Sequence, residues 1–218
     1  MNAEPDFRLV ELLCSHLCHE VISPVAAVNN GLELVGDGDP DIIEEAIGLI
    51  RQSAEQASRR LQFYRVAYGR AAGVDAGGGL AIACELAHAL LQDSKIGLDW
   101  PEGELERTLP VTKQSVRLIL NMIALAAEAL PRGGRLSVRI TGDPDAPQAD
   151  VTATGTDAGL KEEVRAAMAE TAQVESIDPR TIQAYFTARL AEGLGAGLAV
   201  DQTESDTARL SARLYTIA

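Results

Sequence analysis

Residues 18–34 read Cys18-His19-Glu20-Val21-Ile22-Ser23-Pro24-Val25-Ala26-Ala27-Val28-Asn29-Asn30-Gly31-Leu32-Glu33-Leu34, and the spacing of their apolar side chains decides the fold. With Val10, Leu13 and Leu17 upstream and Val35 downstream, Val21, Val25, Val28 and Leu32 step by three or four, which predicts one helix over 8–35 with a narrow apolar seam. Gly36-Asp37-Gly38-Asp39-Pro40-Asp41 breaks it, and Asp39 and Pro40 are placed to start a second helix. That helix carries Ile43, Ala46, Ile50, Ala54, Ala57, Leu61, Tyr64 and Tyr68 at the same spacing and ends near Gly69. A hairpin of two seamed helices cannot bury its stripe alone. Two hairpins packed as a four-helix bundle can, so a homodimer is expected.

His19 lies two residues from both Leu17 and Val21, about 160–200° around the helix from them, and so faces water or a visiting partner. Pro24 has no N–H, so the Glu20 carbonyl loses its helical hydrogen bond and the helix bends there. A neutral imidazole, with an ordinary pKa of ~6.5, can attack phosphorus at neutral pH. Glu20 beside it is expected to hydrogen-bond one ring nitrogen, fixing the tautomer and supporting the charge that phosphorylation creates. His19 is therefore read as a phosphate acceptor and Glu20 as its support. Ile22, Ser23, Ala26 and Asn30, at steps of three, four, seven and eleven, share the face of His19, and the small Ser23 and Ala26 leave room for a partner helix.

His16 lies only about 60° from His19 but lacks the Glu and Pro context. Cys14, His16, Cys18 and His19 are all metal-ligand types, yet helical geometry turns the thiols one way and the imidazoles another, so the cysteines are read as small core thiols. His88, on an apolar helix, is read as structural.

Ala71–Gly79 looks like a linker, dividing a hairpin at 1–72 from a second domain at 79–218. There, 80–93 and 113–130 read as helices, and 95–100 and 107–111 as short strands. Segments 135–141 and 151–154 alternate like antiparallel strands; 159–170 and 179–192 are helical, and 197–203 with 208–216 form a hairpin. This interleaving predicts an α+β sandwich, one sheet with helices on one face.

The 218 residues carry 32 acidic and 19 basic side chains, a formal charge of −13, with no Lys/Arg stripe, which argues against nucleic acid as a partner. No uninterrupted apolar run reaches the ~18–20 residues of a membrane span, the first residues lack signal-peptide character, and three irregularly spaced cysteines fit a reducing compartment. A cytoplasmic protein with no membrane partner is expected.

The segment around His19-Glu20-Val21-Ile22-Ser23-Pro24 resembles the phosphoacceptor motif of bacterial sensor histidine kinases, in which His-Glu/Asp-x-x-x-Pro opens a dimerising hairpin. Over Cys18–Leu34 it resembles, more specifically, the ChpT family of histidine phosphotransferases. The resemblance implies a domain shaped like a kinase ATP-binding domain after the hairpin, a hybrid-kinase receiver domain as phosphate donor and response regulators as acceptors. The nucleotide elements depart from the kinase pattern. Asn121 matches the first Asn of an Asn-x-x-x-Asn pair, but Leu125 replaces the second, which should supply oxygen to Mg²⁺. Thr154 stands where the adenine-binding aspartate belongs, with Asp157 three residues late, and 165–180, the place of the glycine-rich lid, has no glycine. The glycines of Glu192-Gly193-Leu194-Gly195-Ala196-Gly197 are read as a helix cap and turn. The second domain is thus expected to be a degenerate histidine-kinase-ATPase-like sandwich with no cofactor of its own, Mg²⁺ arriving with the receiver. The rival readings are an active sensor-type kinase with a divergent ATP site, and a scaffold that holds receivers without transfer.

Overall fold

The computed structural model describes residues 7–36, 40–69, 79–101, 109–202 and 204–217. Helix α1 (Phe7–Gly36) and helix α2 (Pro40–Ala67) form the hairpin, packed along their length. They approach closely at Gly31, where an added Cβ would lie 2.6 Å from Ile50 Cγ1 and 3.2 Å from the Ala46 carbonyl oxygen. Most of the linker expected at 71–79 falls outside the described residues; Gly79 opens helix α3 (Gly79–Leu91).

Strand β1 (Ile96–Asp99), helix α4 (Lys113–Glu128), strands β2 (Gly134–Asp143) and β3 (Ala146–Thr154), helices α5 (Glu162–Met168) and α6 (Ile182–Leu194), and strands β4 (Ala199–Asp201) and β5 (Thr207–Arg213) complete the chain. The five strands form one sheet in the order β1-β2-β3-β5-β4, with β1 parallel to β2 and the other pairs antiparallel. Each central strand alternates as a one-sided sheet must: Leu136 and Val138, Ala149, Val151 and Ala153, and Ala208, Leu210 and Ala212 are buried under the helices. Ser137, Arg139, Thr152, Arg209 and Arg213 occupy the other face. Helix α4 is the central rod. Thr112 accepts a hydrogen bond from the Ser115 N–H at its start, and Val116 and Leu118 to Ala126 are buried on every side.

The α+β class and one-sheet plan agree with the sequence reading; three details do not. The strand expected at 107–111 is reduced, within the described residues, to one antiparallel bridge between Val111 and Thr216. The α5 segment is shorter than expected, because Ala169 turns to extended backbone. The third concerns α1, which is long and apolar enough, by length and composition, to cross a membrane, although no uninterrupted apolar run was found in the sequence. Its polar positions are those of an amphipathic helix, and it packs on α2 and α6.

The hairpin and the sandwich share a core. Leu12, Phe63, Tyr64, Val66 and Ala67 join Leu80, Ile119, Ile123 and Ile182 in one continuous hydrophobic cluster. The N-terminal half of α1 is thereby fixed to the sandwich, while its C-terminal half runs on beyond it.

Candidate phosphotransfer site

The first turns of α1 are bound to the segment between α5 and α6. Arg8 donates from Nε to the Val174 carbonyl at 3.1 Å and from Nη2 to the Glu175 and Ile177 carbonyls at 3.3 and 3.2 Å. His16 follows two turns later and is 7% exposed. Its ring meets Tyr64 and Tyr68 edge-on, with centroids 5.9 and 6.1 Å away, and its Nδ1 lies 3.3 Å from the Pro179 carbonyl, which can only accept. Burial pushes the His16 pKa down, outweighing the opposite pull of Glu20 and the Pro179 bond. A neutral ring, closed in by the two tyrosines and the segment before α6, cannot serve a visiting protein.

His19, one turn on, is exposed, and among the described residues its ring makes no hydrogen bond or ion pair. Ile22 is 63% exposed, and Ser23, Ala26 and Asn30 are exposed too, so the structure brings all four onto the open face that His19 heads. Leu12 and His16 occupy nearly the same angular stripe lower down. What separates His16 from His19 is therefore height along the helix: the sandwich covers the one and ends before the other.

Glu20 differs from expectation. Its carboxylate accepts from Arg60 Nη1 at 2.9 Å, and no bond to the His19 ring is present. Neighbouring residues on a helix point about 100° apart, so Glu20 reaches across to α2. The same Arg60 Nη1 donates at 2.8 Å to the Glu20 backbone carbonyl. That is the carbonyl Pro24 leaves without a helical donor, an omission that costs about 1–3 kcal/mol when uncompensated and buried. Tyr64 and Tyr68 stack with centroids 5.1 Å apart, and burial followed by the Glu20 charge pushes the Tyr64 hydroxyl above its ordinary range. Sequence reasoning missed Arg60 and assigned Tyr64 only to packing. The available signal was the orphaned carbonyl itself, which required a donor from the facing helix.

Three further positions are corrected. Cys14 and Cys18, read as core thiols, are exposed, because they lie toward the α1 face that carries Val10 and Val25 and that nothing among the described residues covers. His88, read as structural, is exposed on α3, pointing away from the apolar side of that helix.

Comparison with known proteins places this arrangement. Residues 81–206 match the family model of the histidine phosphotransferase C-terminal domain. The chain is 39% identical over 199 residues to the protein phosphotransferase ChpT of Brucella abortus, covering 89% of this chain and 90% of that protein. The chain belongs to the ChpT family of histidine phosphotransferases. A bacterial phosphotransferase of known structure superposes with a TM-score of 0.82 at 36% identity, over 96% of this chain and 98% of that one. The histidine kinase domain of the Erythrobacter litoralis blue-light-activated histidine kinase matches with a TM-score of 0.50 at 14% identity, over 88% and 93%, and shares the fold alone.

In this ChpT-like chain the residues at the kinase nucleotide positions do not fit a Mg-nucleotide. Leu125 is fully buried and offers no oxygen. Asn121 is fully buried and committed to the hairpin joint: Nδ2 donates to the Ala67 carbonyl at 2.9 Å, and Oδ1 accepts from Gln183 Nε2 at 3.0 Å. Thr154 has a hydroxyl where a carboxylate is needed. Asp157, at positive φ, is paired with Arg132 at 3.0 Å. Gly195, with φ 65°, caps α6 and is no part of a lid. A recess of about 490 Å³ remains beside the end of α4, lined among others by Glu128, Leu160, Lys161, Asp178 and Arg180. The Glu128 side chain reaches solvent at its surface, yet the surrounding protein desolvates its carboxyl and, with the Glu20 charge, pushes the pKa up to about 7.

Proposed function

We propose that this phosphotransferase is the histidine step of a bacterial phosphorelay, with His19 as the group that carries phosphate. The observation that supports this most is the exposed, unbonded His19 ring at the head of an open helix face, one turn above a buried and neutral His16. A ring-nitrogen lone pair forms an N–P bond to the aspartyl phosphate of a receiver domain, the P–O bond to the aspartate breaks, and the carboxylate leaves with its electron pair. The reverse sequence on a second receiver returns His19 to the free imidazole. Ile22, Ser23, Ala26 and Asn30 form the docking face. Mg²⁺ comes with the receiver and neutralises charge on the transferred group. Because Leu125 and Thr154 lack the oxygen chemistry of a kinase site, autophosphorylation from ATP is not part of the activity. The donor is the receiver domain of a hybrid kinase and the acceptors are response regulators, in the cytoplasm.

The same reading includes a homodimer. Val10, Val25, Leu32 and Leu61 are 51, 44, 55 and 47% exposed, and Val25, Val28, Ala54, Ala57 and Leu61 line one groove between the two helices. A second hairpin placed there completes a four-helix bundle and removes this apolar surface from water. Light scattering reads the state directly: twice the chain mass is expected, and a monomer at micromolar concentration overturns the dimer.

The function is tested with a phosphorylated receiver domain carrying labelled phosphate. Label is expected on the wild type and absent from His19→Ala. A His19→Ala protein labelled as fast as wild type overturns the assignment, as does wild type that gains label from γ-labelled ATP alone.

A further inference from the structure

Pro24 opens a gap in the α1 hydrogen-bond ladder, and one side chain of the facing helix closes it. Arg60 Nη1 has two hydrogens; one goes to the Glu20 carbonyl at 2.8 Å and the other to the Glu20 carboxylate at 2.9 Å. The Arg60 side chain is half-buried, with its Nε out of solvent, and its Nη1 is directed onto Glu20. Two groups of the residue beside His19 are thus held from α2, the backbone carbonyl and the carboxylate.

We propose that Arg60 is a positioning residue for phosphoryl transfer: it supplies the donor that Pro24 removes and, with the same group, ties Glu20 to α2, setting the direction of the 19–20 backbone and neutralising the charge next to His19. This rests on the reading of His19 as the acceptor. Neutralisation matters because the arriving phosphoryl group is anionic and the chain already carries a formal charge of −13. An unpaired carboxylate one residue from the acceptor repels it, whereas a carboxylate already paired with a guanidinium does so far less. Positioning matters because reacting atoms must meet in line, and small misplacements of a nucleophile slow a transfer step strongly. Arg60 does both through Glu20, without contact with the His19 ring.

The test is the rate of transfer from a phosphorylated receiver domain to wild type, His19→Ala, Arg60→Ala, Arg60→Lys, Glu20→Gln and Glu20→Gln/Arg60→Ala, measured over a range of donor concentrations. Arg60→Ala is expected to slow transfer at saturating donor about tenfold, the scale of a lost charge-assisted hydrogen bond. The half-saturating donor concentration stays unchanged, since Arg60 is not on the docking face. Arg60→Lys, which keeps the charge and one donor, recovers part of the rate. In the Glu20→Gln background, removing Arg60 slows transfer by only about threefold, because the carboxylate charge it neutralises is gone. A Pro24→Ala background, with the backbone N–H restored, likewise shrinks the loss. Melting curves accompany each variant. Arg60→Ala at the wild-type rate overturns the proposal. So does an equal rate loss in every background that tracks a lowered melting temperature, which is the mark of general destabilisation. Failure of the His19 reading looks different: label on His19→Ala, or none on wild type, removes the acceptor and the Arg60 proposal with it.

Discussion

Replacing Asn121 by leucine separates a structural joint from a nucleotide residue. Asn121 is fully buried where α4, α6 and the end of α2 meet. Leucine keeps most of its volume, so the cavity contribution is small. The lost interactions are the 2.9 Å bond to the Ala67 carbonyl, the 3.0 Å bond from Gln183 Nε2 and a 2.7 Å bond to the Arg117 carbonyl, which keeps its helical donor so that this last loss adds little. Each bond contributes about 1 kcal/mol net, and leaving the buried Ala67 carbonyl unpaired adds a further ~1–2 kcal/mol. Gln183 is partly rescued by Thr187 Oγ1 at 3.4 Å. The sum is a destabilisation of roughly 2–4 kcal/mol, which for a chain of this size lowers the melting temperature by roughly 4–16 °C. Thermal unfolding at fixed protein concentration, with and without millimolar Mg-ATP, measures it, and the nucleotide is expected to leave both proteins where they were. A variant melting within about 1 °C of wild type refutes the joint. A wild type stabilised by Mg-ATP, with that gain lost in the variant, returns Asn121 to nucleotide binding.

Three further outcomes follow from named contacts. His16 has a lowered folded-state pKa, so between that value and ~6.5 the unfolded chain binds more protons; stability is full above pH ~6.5 and falls as the pH drops. His16→Phe therefore flattens the fall in melting temperature from pH 7.5 to 5.5, and an unchanged slope contradicts the buried neutral ring. Glu128 has the opposite sign: its carboxyl, raised to about 7, takes up protons on folding, so its contribution is present below the ordinary carboxylate value and lost as pH rises through 7. Glu128→Gln is expected to raise the melting temperature at pH 8 and to change little at pH 5, and a loss of stability at pH 8 argues against the crowded carboxyl. Gly31→Leu drives a side chain into Ile50 and the Ala46 carbonyl, splaying the hairpin at a cost of about 1–3 kcal/mol. Its unfolding midpoint in urea should drop accordingly, and an unshifted midpoint means that the helices are not in close contact there.

The hairpin was legible because its signal is local: a three-four seam and a proline are read from neighbours in the chain. The sheet was legible for the same reason, through the alternation of Leu136, Val138, Val151 and Leu210 with polar residues. The departures all involve partners far away in sequence. His88 and the two thiols were assigned from the apolar character of their helices, but exposure depends on which face a remote element covers. Arg60 acts on Glu20 from 40 residues away, and nothing in the helical pattern of α2 distinguishes it from Arg59, whose side chain pairs instead with Glu55 and Asp93. Leu125 and Thr154 could be compared with the kinase pattern from spacing alone, because each is a side chain without the expected atoms at a fixed position.

The two histidines show how far pattern alone carries. At about 60° apart on one helix, His16 and His19 are nearly equivalent to any periodic reading. The sandwich distinguishes them. Arg8 and Leu12 hold the lower half of α1 against the segment 174–179 and the shared core, which drives His16 into a desolvated slot between two tyrosines and the Pro179 carbonyl. That contact ends before Pro24, and His19 emerges between the end of the cover and the proline. The sandwich, without the residues of a kinase nucleotide site, therefore still has a physical task at the proposed phosphotransfer site. It decides which imidazole a partner can reach, and through Asn121, Gln183 and Tyr68 it fixes the base of the helix that carries Arg60.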